Sequence, residues 1–272
     1  MASPNNYKTG AGGSTGDTLA TASQLDLSGH IWYVHSGTGT DAASPRGRER
    51  VRPLATLAQA HTNAAVGDII DFLSGHAETL TASQIIAKAG LRLVSEGTGT
   101  SRARFTCNGA VVMFDVTAAG VLLGNLYLPQ STTAPTPARV QIAAVGCDVR
   151  GCYFECGAND TVEALRFASG AGQCSIRDTT FISTATSVAA QPESAVAVTA
   201  AMSDLTLDNV VFDGGTTGWS NPFTFDAQAA ITRLMATNVD LLRDSDMTVA
   251  TGSVYVVGIR NRSGSARVVL TA

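Results

Sequence analysis

The sequence predicts an all-β fold, a parallel β-helix solenoid, on three observations. The first is a phrase that returns with its register intact: Val121-Leu-Leu-Gly-Asn-Leu-Tyr-Leu128, Cys147-Asp-Val-Arg-Gly-Cys-Tyr-Phe154, Cys174-Ser-Ile-Arg-Asp-Thr-Thr-Phe181, Leu205-Thr-Leu-Asp-Asn-Val-Val-Phe212 and, more weakly, Leu234-Met-Ala-Thr-Asn-Val-Asp-Leu241. Each copy has an apolar residue at its first or third position, a turn-prone residue at its fifth (Asn125, Gly151, Asp178, Asn209, Asn238) and a large apolar residue at its end. The second is the spacing of those ends, which lie 26, 27, 31 and 29 residues apart. A period in the twenties to forties marks a solenoid. The third is the alternation of apolar residues before each turn residue, which is strand chemistry followed by a bend, because Asn, Asp and Gly tolerate left-handed backbone.

A second strand precedes each phrase: Val111–Val116, Val140–Val145, Val162–Phe167, Ala195–Val198 and Phe223–Phe225. Short strands without long helices between them fit a β-helix. A leucine-rich repeat fits less well, because its period is shorter and its leucine spacing is absent. Stacked coils place alternate side chains in one dry core. The uneven period places insertions at turns that project outward. Upstream, Gly90-Leu-Arg-Leu93 repeats as Gly120-Val-Leu-Leu123, and Asp68–Phe72 reads as the strand before it.

Along the chain, residues 1–30 are rich in Gly, Ser, Thr and Asn and read as an extended N-terminal arm, ordered by a partner. Residues 31–67 hold an opening strand, Ile31–Val34, an arginine loop and a capping helix. Gly37-Thr-Gly-Thr-Asp41 lacks the Gly-Lys-Ser/Thr ending of a phosphate loop and reads as a tight turn, as does Gly97–Thr100. In Pro45–Arg52 the arginines stand at 46, 48, 50 and 52, so an extended chain would present them on one side. That is either a basic finger for an acidic partner or a solvated loop. Thr56–Ala65 has helical spacing, with Thr56 as N-cap and Gly67 as terminator. A helix there hides the open end of a β-helix. Residues 68–245 read as the solenoid, and in residues 246–272 Gly252–Arg260 and Ala266–Leu270 read as a closing hairpin that either caps the C-terminal end or pairs between subunits.

Composition bounds the function. Charged residues make up 15% of the 272, the mean hydropathy is +0.14 and the net charge is −4. Nucleic acid is therefore not an expected partner. No apolar run is long enough for a bilayer, and the N-terminus lacks a secretory apolar core, so assembly in a cytoplasm is expected. Low charge suits either a surface covered by neighbours or one of uncharged polar residues. The five cysteines (107, 147, 152, 156, 174) are odd in number and lack a Cys-x-x-Cys pair. Cys147 and Cys174 fill the first position of the phrase, so core thiols are expected rather than metal or disulfides.

Trp32-Tyr-Val34, the Gly-Thr-Gly-Thr-Asp turn, Pro53–Ala60, Gly67-Asp-Ile-Ile70 and Ser74-Gly-His-Ala-Glu-Thr79 occur in this order. This resembles the N-terminal module of right-handed parallel β-helix proteins of the pectate-lyase-like superfamily, in the version carried by virion structural proteins of tailed bacteriophages. The resemblance spans roughly residues 31–245. It implies fold more than function, because the fold hosts lyases, hydrolases, tailspikes and inert virion proteins.

Candidate acids are Asp148, Glu155, Glu163, Asp178, Asp208 and Asp213. Asp178 and Asn209 hold equivalent positions and read as a polar turn ladder. Glu163 and Arg166 fall on opposite strand faces and are not expected to meet. His76 and Glu78 can be posed as an acid–base pair or as packing and turn residues. Aromatics are 6%, and no Trp or Tyr stripe marks a sugar groove, with Trp219 and Tyr255 isolated. No catalytic residue, cofactor or metal is expected. The resemblance implies a head decoration (cement) protein that binds the major capsid protein, associates as a homotrimer and resides in the virion. The arm (Tyr7, Lys8) and the loop (Arg46, Arg48, Arg50, Arg52) are the contact candidates. The alternative is a tailspike or tail-fibre component that binds, or cleaves, host polysaccharide. A free polysaccharide lyase ranks third.

Overall fold

A computed structural model describes residues 29–43, 46–133, 135, 137–160, 162–187, 191–219, 225–243, 245, 247–249, 253–256, 258–261 and 268–270. Residues 1–28, with Tyr7 and Lys8, and Pro45 lie outside them. The described chain is a parallel β-solenoid. Three parallel sheets of nine, eight and eight strands run its length, and each successive coil adds one strand to each sheet in turn.

The repeated phrase makes two of the three sides. Its first half forms the first-sheet strands, such as Cys174–Arg177 and Leu205–Asp208, and its second half the second-sheet strands, such as Thr180–Ser183 and Val211–Asp213. The preceding strands, Phe114–Val116, Ala138–Ile142, Glu163–Phe167, Val196–Val198 and Phe225–Ala227, make the third sheet. Third-position residues stack in register as Leu123, Val149, Ile176, Leu207 and Ala236. The closing residues stack as Leu128, Phe154, Phe181, Phe212 and Leu241. Phe154–Phe181 and Phe181–Phe212 are stacked rings with centroids 4.6 and 5.4 Å apart. All ten of these side chains are buried.

The bend is made at the fifth position. Asn125, Gly151, Asp178, Asn209 and Asn238 have φ of 55°, 65°, 50°, 54° and 51°. Only Gly, Asn and Asp reach this region at low cost, which is why one of them recurs there. A second left-handed ladder stands just before the phrase, at Gly120, Gly146, Gln173 and Asp204. The sequence signal for it was the glycine of Gly90 and Gly120, but Gln173 and Asp204 hide the pattern.

The N-terminal end is closed. Strand Ile31–Val34 extends the first sheet by pairing with Ile69–Phe72. Asp68–Phe72 therefore begins a first-sheet rung rather than a strand of the preceding kind, because Ile70 aligns with Leu93 and Leu123. The helix Leu57–Asn63 packs on both of these strands and buries Leu57 and Ala60. Thr56 caps it as expected, its Oγ accepting the Gln59 N–H at 3.2 Å. The helix stops at Asn63, before Gly67. Ala64 closes it by donating to the Ala60 carbonyl, and Lys88 Nζ reaches the Thr62 and Ala64 carbonyls at 3.2 and 2.6 Å.

The expected C-terminal hairpin is corrected. Ser253–Val256, Ile259–Asn261 and Val268–Leu270 pair in parallel with Arg233–Thr237, Val239–Leu242 and Met247–Val249 respectively. They form a further coil. Gly258, at φ 85°, holds the fifth-position bend of another copy of the phrase, which the alternation of Val254, Val256 and Ile259 conceals as an antiparallel pattern.

Candidate functional site

The candidate acids are spent in contacts within the solenoid, most of them between neighbouring coils. Asp148 accepts from Ser175 Oγ at 2.6 Å and faces Arg177. Asp178 faces Arg150 at 3.5 Å and accepts from Asn209 Nδ2 at 2.9 Å, the expected turn ladder. Asp208 accepts from Thr237, and Asp213 pairs with Arg243. Glu163 and Arg166 do meet, at 2.6 Å, against expectation. Glu163 opens its strand at a coil corner, where two-fold alternation does not yet hold, and the arginine is long enough to reach back. Among the described residues no three His, Cys, Asp or Glu side chains gather as a metal site.

His76 and Glu78 also come together, with Nε2 and Oε2 3.3 Å apart. His76 Nδ1 accepts the Ser36 N–H at 3.1 Å, which leaves the ring proton on Nε2, facing Glu78. The ring is buried between Phe72 and Phe105, and Glu78 accepts the Leu57 N–H at the start of the helix at 2.9 Å. The pair joins the cap to the first coils and has no open face for a substrate.

The arginine loop is docked, not extended. Gly47, at φ 86°, turns it back, so the four arginines do not share a side. Tyr33 N–H donates to the Gly47 carbonyl at 2.7 Å and Gly47 N–H to the Arg52 carbonyl at 2.9 Å. Arg48 lies over the Trp32 ring, 4.9 Å from its centroid. Arg50 pairs with Glu96 through both of its terminal nitrogens. Arg46 and Arg52 line a shallow hollow with Glu49. Behind the loop, burial and the nearby Glu96 raise the Asp71 carboxyl to about 7.

A shallow cleft lies on the outer flank of the second sheet. It measures about 400 Å³ and is lined by Arg104, Tyr127, Glu155, Asn159 and the segment Pro129–Thr132. Tyr127 and Tyr153 are aligned on adjacent coils and pack edge to face at 5.7 Å. They therefore form an aromatic pair that the sequence reading did not recognise. The available signal was a tyrosine at the seventh position of two successive phrases. Tyr127 donates to Glu155, and burial followed by that bond pushes its phenol up to about 12.

Beneath the cleft lie Arg139 and Asp160, both fully buried and 3.6 Å apart. Arg139 donates to the Pro129 and Glu155 carbonyls at 2.6 and 2.8 Å, and Asp160 accepts from the Gly157 and Ser131 N–H groups. Together they fix both walls of the cleft. Sequence reasoning missed them because Asp160 sits in a connection outside the repeat and Arg139 is a charged residue on an otherwise apolar strand, so neither belongs to the repeated pattern.

All five cysteines are free and buried. Burial raises the Cys152 and Cys156 thiols to about 12, so they remain protonated and act as core side chains.

The class these observations define is a parallel β-solenoid with a capped N-terminal end and a shallow cleft on the second sheet. In comparison with known proteins, no family model, curated protein or solved structure matches the chain.

Proposed function

We propose that the protein is a non-enzymatic structural component of a tailed-bacteriophage particle. Its role on this reading is head decoration: it binds the outside of the capsid through the major capsid protein, associates with itself as a homotrimer, and stiffens the shell. The observation that carries this reading is the neutralised flank. Arg150, Arg177, Arg233 and Arg260 each face a carboxylate on a neighbouring coil, Asp178, Asp148, Asp204 and Asp240. A flank whose charges are spent internally suits packing against protein rather than capture of a charged ligand. The capped end supports attachment there, since Val51 and Val66, 86% and 69% exposed, are the most exposed large apolar side chains described. Imaging of the particle tests it. Copies spread over the shell support decoration, and copies confined to the tail overturn it.

The cleft lined by Tyr127, Glu155 and Asn159, with Tyr153 packed edge to face against Tyr127, favours a second reading, a tail component that holds host surface polysaccharide. An aromatic side chain with amide and carboxylate neighbours suits a sugar ring. Binding of purified host polysaccharide, weakened about tenfold or more by Tyr127→Ala, supports it. No binding at millimolar sugar removes it.

A further inference from the structure

Asn108 and Gly109 form the only Asn-Gly pair in the chain, at the corner where strand Arg104–Cys107 leaves the second sheet. Asn108 is exposed, and its backbone is anchored, the N–H donating to the Leu80 carbonyl at 2.9 Å. Its side chain is held at one atom. Oδ1 accepts from Thr133 Oγ1 of the next coil at 3.2 Å, while Nδ2 makes no hydrogen bond among the described residues. The Gly109 N–H has no acceptor among them either. A Cβ at Gly109 would meet nothing closer than 3.5 Å, so the space is open and no side chain screens the glycine nitrogen. A nitrogen free to attack, a carbonyl polarised by a hydroxyl and an untethered leaving group thus stand in adjoining residues.

The asparagines of the bend are built differently. Asn125 Nδ2 is tied to the Ser95 and Gly97 carbonyls at 2.8 and 2.9 Å, and Asn209 Nδ2 to Asp178 at 2.9 Å. The residues that follow them, Leu126 and Val210, are fully buried, which holds the neighbouring nitrogen in place.

We propose that Asn108 is a self-modification site, at which the chain deamidates through a cyclic imide. The Gly109 nitrogen attacks Asn108 Cγ, forming an N–Cγ bond and giving up its proton. Thr133 donates to Oδ1 as negative charge gathers there. The Cγ–Nδ2 bond breaks, and Nδ2 leaves with a proton as ammonia. Water then opens the imide at either carbonyl, giving an aspartyl or an isoaspartyl link. The sum is amide plus water to acid plus ammonia, with no change of oxidation state. Each event adds a negative charge at this corner. The isoaspartyl product also lengthens the backbone in the residue after Cys107, whose carbonyl accepts the Thr132 N–H and Oγ1 at 2.9 Å, and Thr132 walls the cleft. The cleft wall therefore changes with the age of the molecule. None of this depends on the decoration reading.

The test is incubation of the purified full chain in warm, mildly alkaline buffer, followed by digestion and peptide mass mapping. The peptide holding Asn108 is expected to yield a pair of separable products of the same acid mass, at roughly ten times the rate of the peptides holding Asn125 and Asn209. Thr133→Val is expected to slow the conversion about fivefold, the effect of one hydrogen bond strengthened in the transition state. Asn108→Gln, whose longer side chain closes the ring poorly, stops it. A wild-type peptide that keeps its amide, or converts no faster than those of Asn125 and Asn209, overturns the proposal, and neither result needs a variant to fold. A single aspartyl product marks direct hydrolysis and overturns the imide. An unchanged rate in Thr133→Val overturns the part given to Thr133.

Discussion

At the scale of single residues, buried polar groups do more joining than the repeat pattern reveals. Asp68 accepts from the His30 N–H, Trp32 Nε1 and the Ala65 N–H at 2.7–2.8 Å, holding the opening strand and the helix exit to the first full coil. Burial opposes its charge, yet these donors hold its carboxyl below the ordinary range. Its stabilising contribution is therefore present above the unfolded value near 3.8 and is lost as pH falls through the lower folded value. Asp68→Ala is expected to cost about 2–4 kcal/mol, read as a lowered denaturation midpoint. Asp71 works the other way. Its raised folded value makes the chain lose stability as pH rises from about 4 to about 7, so Asp71→Asn is expected to stabilise by about 1–2 kcal/mol at pH 8 and to have little effect at pH 4. Urea melts of both chains at the two pH values check this. Neither residue was legible as functional in the sequence. Each looks like an ordinary acid in a strand, and the distant partners that set its role, His30 and Trp32 for Asp68 and Glu96 and Arg50 for Asp71, lie more than twenty positions away, which no local pattern encodes.

At the scale of elements, the phenylalanine ladder is the clearest case of sequence dictating structure. The phrase fixed both its register and its inward face, because a large apolar residue must follow the bend at a constant distance. Phe181 touches stacked rings on both sides, so Phe181→Ala is expected to cost about 3–5 kcal/mol. Phe181→Leu should cost about half as much, since leucine already fills the position at Leu128 and Leu241. Equal losses for the two variants in chemical denaturation would show that ring stacking, not volume, dominates. The helix was legible from Thr56 and its apolar spacing, and Thr56→Ala should cost about 1 kcal/mol. Its end was not legible, because Lys88 stops it from a distant coil. The arginine loop was misread for a related reason: alternation implies a shared side only in extended chain, and Gly47 removes that condition.

At the scale of the whole molecule, each coil meets only its neighbours, so stability should be close to a sum over coils and their interfaces. Removing Cys174–Asp204, which is 31 residues, joins Gln173 to Leu205 and keeps the phrase in register. The shortened chain is expected to fold, with an unchanged β-type circular dichroism spectrum and a lower melting temperature. Collapse of the whole fold would show coupling beyond nearest neighbours. The solenoid itself was readable from one sequence because its period repeats. The cleft was not, because its walls come from the connections that break the period.

The constancy of the bend has a consequence for how such a surface diversifies. Leu123 to Leu128, Val149 to Phe154, Ile176 to Phe181 and Leu207 to Phe212 each advance by five residues. The step from the second sheet to the third varies, from Phe154 to Leu165, Phe181 to Val196 and Phe212 to Phe225. Length change is thus largest at one corner of the prism, the corner that also walls the cleft through Pro129–Thr132 and Asn159. Lineages can rewrite that corner by insertion while the spine stays in phase, and the same corner is the place to graft a foreign peptide for display.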